Sequence, residues 1–231
     1  MVMFGSAGDY NNIEEVSEME KVLLVTIFFL LNSITFGKQG IDRQLPVKMG
    51  GMEEVRISRM GGDIEVADAQ RGARVKTLGG NIRIGNARRF VQASTNGGYI
   101  TIESIDGWVK ARTYSGNITV NVTDPDEETG AGNDTGSKKD IELTSYQGDI
   151  RVMLPRNLSA IFDIELAYTN NSMQNYRIIT DFDLSQEETK QWDSSRGTPR
   201  RSIFGKGIAG SGKRKIRLRT INGNIYLKKS E

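Results

Sequence analysis

Apolar residues recur along this chain in short alternating runs, each placed directly after a glycine. Segments 62–66, 80–84, 98–102 and 116–120 read Gly-x-Ile-x-Val or Gly-x-Ile-x-Ile, and their glycines are 18 residues apart. Alternation with a period of two is the pattern of a β-strand with one buried face. The pattern returns twice further along, so the chain has six predicted turn glycines: Gly62, Gly80, Gly98, Gly116, Gly148 and Gly223.

A second alternating run precedes each glycine. Apolar residues stand five and seven positions before it in every copy, as Val75 and Ala73 do before Gly80. Each 18-residue repeat therefore holds two short strands joined by a glycine turn, and it is too small to bury its apolar face alone. The sequence predicts an all-β chain whose repeats stack as coils of a parallel β-helix or β-solenoid, right-handed as parallel crossovers are by default. An antiparallel sandwich of the same strands is the alternative, which the constant spacing disfavours.

A hydroxyl residue stands three positions before every turn glycine after the first. It lies two and four residues after the two apolar positions, so in a strand it points to the same side as the buried residues, at the corner of the coil. We expect these residues, of which Thr95 is typical, to form a structural ladder whose hydroxyl groups satisfy the backbone amides of the turns.

Two stretches interrupt the repeats. Residues 124–139 are an acidic, Gly-rich insertion between the fourth and fifth copies, and residues 174–215 are a longer one. Before the longer insertion, residues 164–168 resemble a weaker seventh copy. This copy turns at residues 170–171, where Asn replaces the glycine, and it has Met173 in the position of the isoleucine.

The longer insertion carries its own local signals. Its Ser-Gln-Glu-Glu segment at 185–188 has the spacing of a capping box, which predicts a short helix reaching Trp192. Residues 194–215 are rich in Gly, Ser and Arg, which predicts a long loop. A stack of coils exposes strand edges at both ends, and we expect residues 38–54 and 174–215 to cap them.

The N-terminal residues indicate export. Lys21 precedes an uncharged apolar run over residues 22–31, and the small residues Thr35 and Gly37 follow it. This layout is typical of a signal peptide. We expect residues 1–37 to be an extension with a signal peptide, cleaved after Gly37, and residues 38–231 to be the mature domain. The mature domain would then lie in the periplasm, on the cell surface or in the medium, without a stable transmembrane span.

The first 21 residues carry five acidic side chains and one basic one, which is unusual ahead of an apolar signal segment. A true start at Met19 removes this conflict. The alternative is an uncleaved anchor with an acidic cytoplasmic tail. The positive-inside rule disfavours that orientation, and the apolar stretch is shorter than the roughly 20 residues of a membrane span.

Composition narrows the chemistry. The chain has 26 Gly against 4 Pro, which suits many short strands joined by tight turns. It has no Cys, which excludes disulfides, thiol catalysis and a lipidated Cys anchor. It has no His either, so the commonest general base and metal ligand is missing.

Three blocks of the chain resemble a known family. They are the repeated [Thr/Ser]-x-x-Gly-[Asn/Asp]-Ile-x-[Val/Ile/Leu], the Met-Leu-Pro at 153–155 with Phe-Asp-Ile-Glu-Leu at 162–166, and the Lys-Ile-Arg-Leu-Arg-Thr-Ile-Asn-Gly-Asn-Ile-Tyr-Leu at 215–227. Together they closely resemble the bacterial adhesin-like β-roll domain family, a neighbour of the head-GIN adhesin domains, over residues 50–229. The resemblance implies a non-catalytic, exported adhesin-like or structural module of the cell envelope, and it brings no catalytic residues.

Other candidate chemistry is weak, and no catalytic, cofactor-binding or metal-binding residues are predicted. Residues 207–214 nearly match a phosphate-binding loop, but Arg214 replaces the required Ser or Thr and a strand follows. The acidic residues in 124–134 match neither the spacing of an EF-hand nor that of a Gly-Gly-x-Gly-x-Asp calcium roll. No acidic pair is built across neighbouring repeats, which argues against a carbohydrate-active enzyme.

The outward positions of the strand before each glycine are strongly basic. They hold two acidic residues, Glu142 and Glu165, against seven basic ones: Arg56, Arg74, Lys76, Lys110, Arg112, Arg217 and Arg219. Such a stripe favours a polyanion, either an acidic polysaccharide or a lipid headgroup surface. The alternative is a charged face that keeps the sheet soluble, in an envelope scaffolding or regulatory protein that binds another protein. We expect no nucleic-acid partner, because no nucleic-acid-binding motif is present.

The strand after each glycine has an outward face of a different kind. It shows flat polar rows with occasional tyrosines, and its residues include Asn81, Tyr99, Thr101, Asn117, Thr119, Asn224 and Tyr226. Such a face suits carbohydrate contact, and it equally suits plain solvation.

Overall fold

The structure, a computed structural model, describes residues 54–123, 139–172, 174–195 and 197–230. Within these ranges the protein is all-β, without a helix, and its strands form one sheet that curls into a half-barrel. The strands are β1 (Val55–Arg59), β2 (Ile64–Ala69), β3 (Ala73–Thr77), β4 (Ile82–Gly97), β5 (Ile100–Ser115), β6 (Ile118–Val122), β7 (Ile141–Ser145), β8 (Ile150–Leu154), β9 (Ala160–Thr169), β10 (Ile178–Thr180), β11 (Ser185–Glu188), β12 (Arg200–Ala209), β13 (Arg214–Ile221) and β14 (Ile225–Lys229).

The strands before and after the turn glycines line up in two rows. The pre-glycine row runs β1-β3-β4-β5-β7-β13-β9. The post-glycine row runs β2-β4-β5-β6-β8-β14-β10. The long strands β4 and β5 belong to both rows. Neighbours within each row are parallel, and equivalent residues of successive repeats stand opposite each other, as Ile64 with Ile82 and Ile82 with Ile100.

The core consists of the inward residues of both rows. Apolar residues at the predicted alternating positions are buried and form one cluster, in which Ile100, Ile118 and Leu143 have no exposed surface. β-Branched residues dominate because they pack well on a pleated surface. Burying each such side chain contributes about 1.5–3 kcal/mol.

The turn glycines stack directly on one another. At Gly98, where φ is +150°, a Cβ atom would lie 2.1 Å from the carbonyl oxygen of Gly80. The glycines at 80, 116, 148 and 223 have the same relation to the glycine of the neighbouring repeat, at 2.0–2.3 Å. Gly62 ends the stack, with φ at +82° and open space beside it. No other residue type fits in this column without displacing backbone.

The predicted hydroxyl ladder is present, but its partners differ from the prediction. Thr95 is buried, and its hydroxyl donates to the carbonyl oxygen of Gly80 at 2.9 Å instead of accepting from a turn amide. Thr77, Thr113, Ser145 and Thr220 donate in the same way to the turn glycine of the adjacent repeat. The turn carbonyls point into the corner, which is why they meet both a hydroxyl and the next glycine.

A second ladder was not predicted from the sequence. The residue after each turn glycine offers a side-chain oxygen to the backbone amide of the equivalent residue in the next repeat. For example, Asn117 Oδ1 accepts from the Asp149 amide at 2.8 Å, and Asp149 Oδ1 accepts from the Asn224 amide at 2.8 Å. Tyr99 has no such oxygen, so the ladder is interrupted there.

The last repeat lies out of chain order. β13 pairs with β7 on one side and with β9 on the other, and β14 lies between β8 and β10. The chain therefore leaves β8, skips one position in each row to form β9 and β10, and returns to fill the gap with its C-terminal residues. The contact of Gly223 with Gly148 follows from this placement.

The weaker seventh copy is real, but its isoleucine was assigned incorrectly. Ile178 in β10, not Met173, stands opposite Ile225 of β14. Met173 itself lies outside the described residues. β10 is fastened by Asp181, whose carboxylate accepts from the Lys228 ammonium at 2.7 Å and from the Lys229 amide at 3.1 Å. These two hydrogen bonds hold the pKa of Asp181 below its usual value.

The predicted helix at 185–192 and the predicted loop at 194–215 are both wrong. Residues 185–188 form β11, which is antiparallel to β12, and β12 is antiparallel to β9. Pairing with a free strand edge outweighs the local capping signal, since a short isolated helix is marginal. The glycines that suggested a loop allow close approach within β12: a Cβ at Gly207 would lie 2.5 Å from Asp183 O.

The two insertions have different outcomes. β12 covers the outer edge of β9, as expected of a cap in the 174–215 segment. Residues 124–138 lie outside the described residues, yet Val109 still pairs with Ile141 as if the repeats were continuous. The predicted signal segment and the cap at 38–53 also lie outside them. In the described part of the chain, no helix is long and apolar enough to cross a membrane.

Candidate polyanion-binding face

All seven basic residues singled out from the sequence lie on the outward side of the pre-glycine row. They form two lines across the strands, one six positions and one four positions before the turn glycine. We call this surface the basic face. The first line contains Arg56, Arg74, Lys110 and Arg217, and the second contains Lys76, Arg112 and Arg219.

Four carboxylates form ion pairs with five of the seven cations, because Glu54 pairs with two of them. Lys110 pairs with Glu142 at 3.3 Å, and Arg219 pairs with Glu165 at 3.2 Å. Two further carboxylates were missed from the sequence. Glu54 holds both Arg56 and Arg74, and Asp163 holds Arg217 at 3.4 Å. Asp163 reaches Arg217 because β13 lies beside β9, which no local pattern reveals.

Lys76 and Arg112 are the remaining positive charges of this face. Both side chains are exposed, and neither forms an ion pair with another described residue. In register they flank Ser94 of β4, two strand spacings apart, or about 10 Å at 4.8 Å per spacing. The net charge of the face is therefore concentrated on β3 and β5.

An aromatic pair adjoins Arg112. Tyr114 follows it by two residues on the same side of β5, and Tyr146 lies just past the end of β7. The two rings are 5.5 Å apart between centroids and tilted by 31°. Their side chains are 61% and 39% exposed. Sequence reasoning missed this pair, because Tyr114 and Tyr146 are 32 residues apart and meet only through the β5–β7 pairing.

A groove of about 390 Å³ continues from the aromatic pair over β7, β13, β9 and β12. Its floor includes the Arg219–Glu165 pair, and Tyr146 stands at its rim. Most of the remaining lining groups are hydroxyls, amides and single apolar side chains: Thr144, Ala167, Thr189, Gln191, Ser202, Phe204 and Ile221. Such a mixture suits a ligand with many hydroxyl groups and some apolar surface.

Thr189, Gln191 and Asp193 line the groove, and Trp192 in the same segment belongs to an aromatic cluster. Tyr168 meets Trp192 edge-on, with centroids 5.7 Å apart, and the Arg201 guanidinium lies 4.9 Å above the Trp192 ring. The Tyr168 hydroxyl donates a hydrogen bond to the Glu188 carboxylate. This bond and the accompanying burial raise the pKa of Tyr168 above its ordinary value.

On the outward face of the post-glycine row, the side-chain oxygens of Asn81, Asn117 and Asn224 accept backbone hydrogen bonds from the neighbouring repeat. Carbohydrate contact by this face stays a prediction. Tyr99 remains exposed there, to 56%. Thus the aromatic residues that adjoin free positive charge lie on the pre-glycine row.

The remaining candidates gain no support as sites. Residues 207–209 belong to β12, and the residues that follow them turn into β13, so no helix begins there. No cluster of metal-ligating side chains is found within the described ranges. The acidic stretch 124–134 lies outside them.

Compared with protein-family models, with curated proteins and with solved structures, the chain matches none.

Proposed function

We propose that this protein is an exported, non-catalytic, adhesin-like binding module of the bacterial cell envelope or cell surface that holds acidic polysaccharide on its basic face. The observation that carries the proposal is the pair of exposed cations without ion-pair partners among the described residues, Lys76 and Arg112, of which Arg112 adjoins the exposed rings of Tyr114 and Tyr146. Positive charge recruits a polyanion, and a row of strands presents shallow repeated contacts that suit an extended polymer.

We propose further that the two rows are walls of stacked coils, a right-handed β-solenoid. The parallel pairing of equivalent residues and the unbroken column of turn glycines support this architecture. A solenoid multiplies one outward position into a line of equivalent side chains, which is how a single repeat motif generates a polymer-binding surface.

A second candidate, an envelope scaffolding protein that binds another protein, is favoured by exposed apolar side chains. Met60 is 83% exposed and lies at the end of β1, and Leu78 of the next repeat is 39% exposed. Ile208 on β12 is 68% exposed. Apolar side chains left in solvent are typical of protein interfaces when they are contiguous.

The test is binding of the full chain to a polyuronate and to a neutral polysaccharide across a salt series. The variant Lys76→Ser/Arg112→Ser removes the two unpaired charges, and Arg71→Ser/Lys213→Ser removes two exposed cations from turns outside the face. We expect the first variant to weaken polyuronate binding about tenfold at low salt, with little change in the second.

The outcomes separate the candidates. Salt-sensitive binding that only the first variant loses supports the basic face as the ligand surface. An equal loss of polyuronate affinity in both variants would mean that binding depends on the net charge of the protein and not on the basic face. If the wild-type chain binds neither polymer, the proposal fails and the scaffolding candidate takes precedence.

A further inference from the structure

The rings of Tyr114 and Tyr146 contact each other and remain 61% and 39% exposed. Neither ring belongs to the apolar core, and both stand on the outward side next to buried hydroxyl residues of the corner, Thr113 and Ser145. Tyrosine is enriched at interfaces because its ring offers apolar contact area and its hydroxyl a polar group. The pair is therefore available as a contact surface.

The pair and its neighbours form a four-residue patch. Arg112 stands opposite Thr144 in the β5–β7 register, and the two tyrosines are two residues further along the same strands and on the same side. The patch thus presents an aromatic surface, a guanidinium without an ion-pair partner in the described chain, and a hydroxyl. Thr144 and Tyr146 also line the groove, so patch and groove are continuous.

We infer that this patch is a stacking subsite for a pyranose ring that bears a carboxylate, as in a uronic-acid polysaccharide. The C–H face of the sugar lies against the tyrosine rings, whose apolar faces accept it. Arg112 binds the carboxylate, because a guanidinium matches the two carboxylate oxygens in a bidentate pair. Thr144 accepts or donates a hydrogen bond at a ring hydroxyl. This inference rests on the proposed function and names the sugar class that it requires.

The surroundings indicate an oligosaccharide rather than a single ring. From Lys76 on β3 to Arg219 on β13 the path crosses four strand spacings, or about 19 Å. Lys76 provides a second carboxylate contact on one side of the patch. On the other side, Arg219 is neutralised by Glu165. The groove is therefore suited to hydroxyl groups more than to a second charge.

The experiment measures the affinity of the full chain for an oligogalacturonate and for poly-glutamate. Poly-glutamate carries carboxylates but no sugar ring. The variants are Tyr114→Ala and Tyr146→Ala, with Tyr146→Phe to retain the ring. The matched control is Tyr99→Ala, the same substitution at an exposed tyrosine of the post-glycine row.

We expect each patch Tyr→Ala variant to weaken oligogalacturonate binding about fivefold to tenfold, with an unchanged salt slope and unchanged poly-glutamate binding. Tyr146→Phe and Tyr99→Ala should bind oligogalacturonate as the wild type does.

Three results overturn the inference. If both Tyr→Ala variants bind the oligosaccharide normally while Lys76→Ser/Arg112→Ser does not, the basic face is confirmed as the ligand surface without a stacking subsite. If the wild type binds poly-glutamate as tightly as oligogalacturonate, no sugar ring is recognised. If it binds no polyanion at all, the inference and the proposed function fail together.

Discussion

At the scale of single residues, the repeat is fixed by one carbonyl group. The turn carbonyl points into the corner, where it accepts a hydrogen bond from a buried hydroxyl and faces the Cα of the next turn glycine. The direction of the turn carbonyl group thus explains why the motif requires both the glycine and the hydroxyl residue. The glycine was predicted from its spacing, but the direction of the hydrogen bond was not, since hydroxyls donate and accept equally well.

Gly97 and Gly98 are adjacent, but only Gly98 lies against a turn carbonyl group. In Gly98→Ala the new methyl group would meet Gly80 O at 2.1 Å and φ would remain at +150°, whereas Gly97 has open space and no positive φ. We expect Gly98→Ala to lower the free energy of unfolding by about 3 kcal/mol or more. Gly97→Ala should change it by less than about 1 kcal/mol. Chemical denaturation measures both, and equal effects would contradict the stacked-glycine account.

At the scale of elements, the second ladder provides hydrogen-bond acceptors for backbone amides next to the turn glycines. These amides are bonded by Asn and Asp side chains and not by the backbone pairing of the sheet. Asn117 supplies the only side-chain acceptor seen for the Asp149 amide among the described residues. The ladder then passes through Asp149 and Asn224 to the amide of Arg177, which connects the repeats on both sides of the inserted one.

The ladder predicts a position-specific cost for asparagine. Asn117→Ala leaves the Asp149 amide without its acceptor, which costs about 1–3 kcal/mol of unfolding free energy. Asn86 is exposed on β4 and makes no side-chain hydrogen bond in the described structure, so Asn86→Ala is the matched control. Thermal unfolding of the two variants, each against the wild type, gives the comparison. If Asn86→Ala is destabilised as much as Asn117→Ala, the loss of stability comes from the change in strand propensity and not from the ladder.

The sequence allowed prediction where structure follows from a repeated local pattern. Alternation identified the buried positions and the outward basic residues, and spacing identified the turns. It failed for β11 and β12, because capping signals and glycine content are local, whereas β12 exists through pairing with β9 and β11 through pairing with β12. Two of the carboxylates that pair with the basic face, Glu54 and Asp163, were missed for the same reason, as were the tyrosine pair and the groove. Each depends on which strands become neighbours.

At the scale of the whole molecule, the chain closes on itself by inserting its end. In a stack built in chain order, the C-terminal repeat would be an edge, and its loss would remove one interface. Here β13 and β14 each have a neighbour on both sides. The C-terminal residues are therefore central to both rows, and among the described strands β1 and β2 lie at the edge.

This arrangement makes two truncations of the chain unequal. Deletion of residues 214–231 removes β13 from between β7 and β9, and β14 from between β8 and β10. It also removes the buried side chains of Ile216 and Leu218 from the core. Deletion of residues 1–72 removes β1 and β2, each of which pairs with one described strand, β3 or β4. We expect the C-terminal deletion to abolish the cooperative unfolding transition, measured by circular dichroism during denaturation. The N-terminal deletion should keep the transition at reduced stability, since edge repeats contribute only one set of contacts. If the C-terminal deletion still unfolds cooperatively, β9 and β10 have moved into the vacated position, and the insertion is then dispensable for the fold.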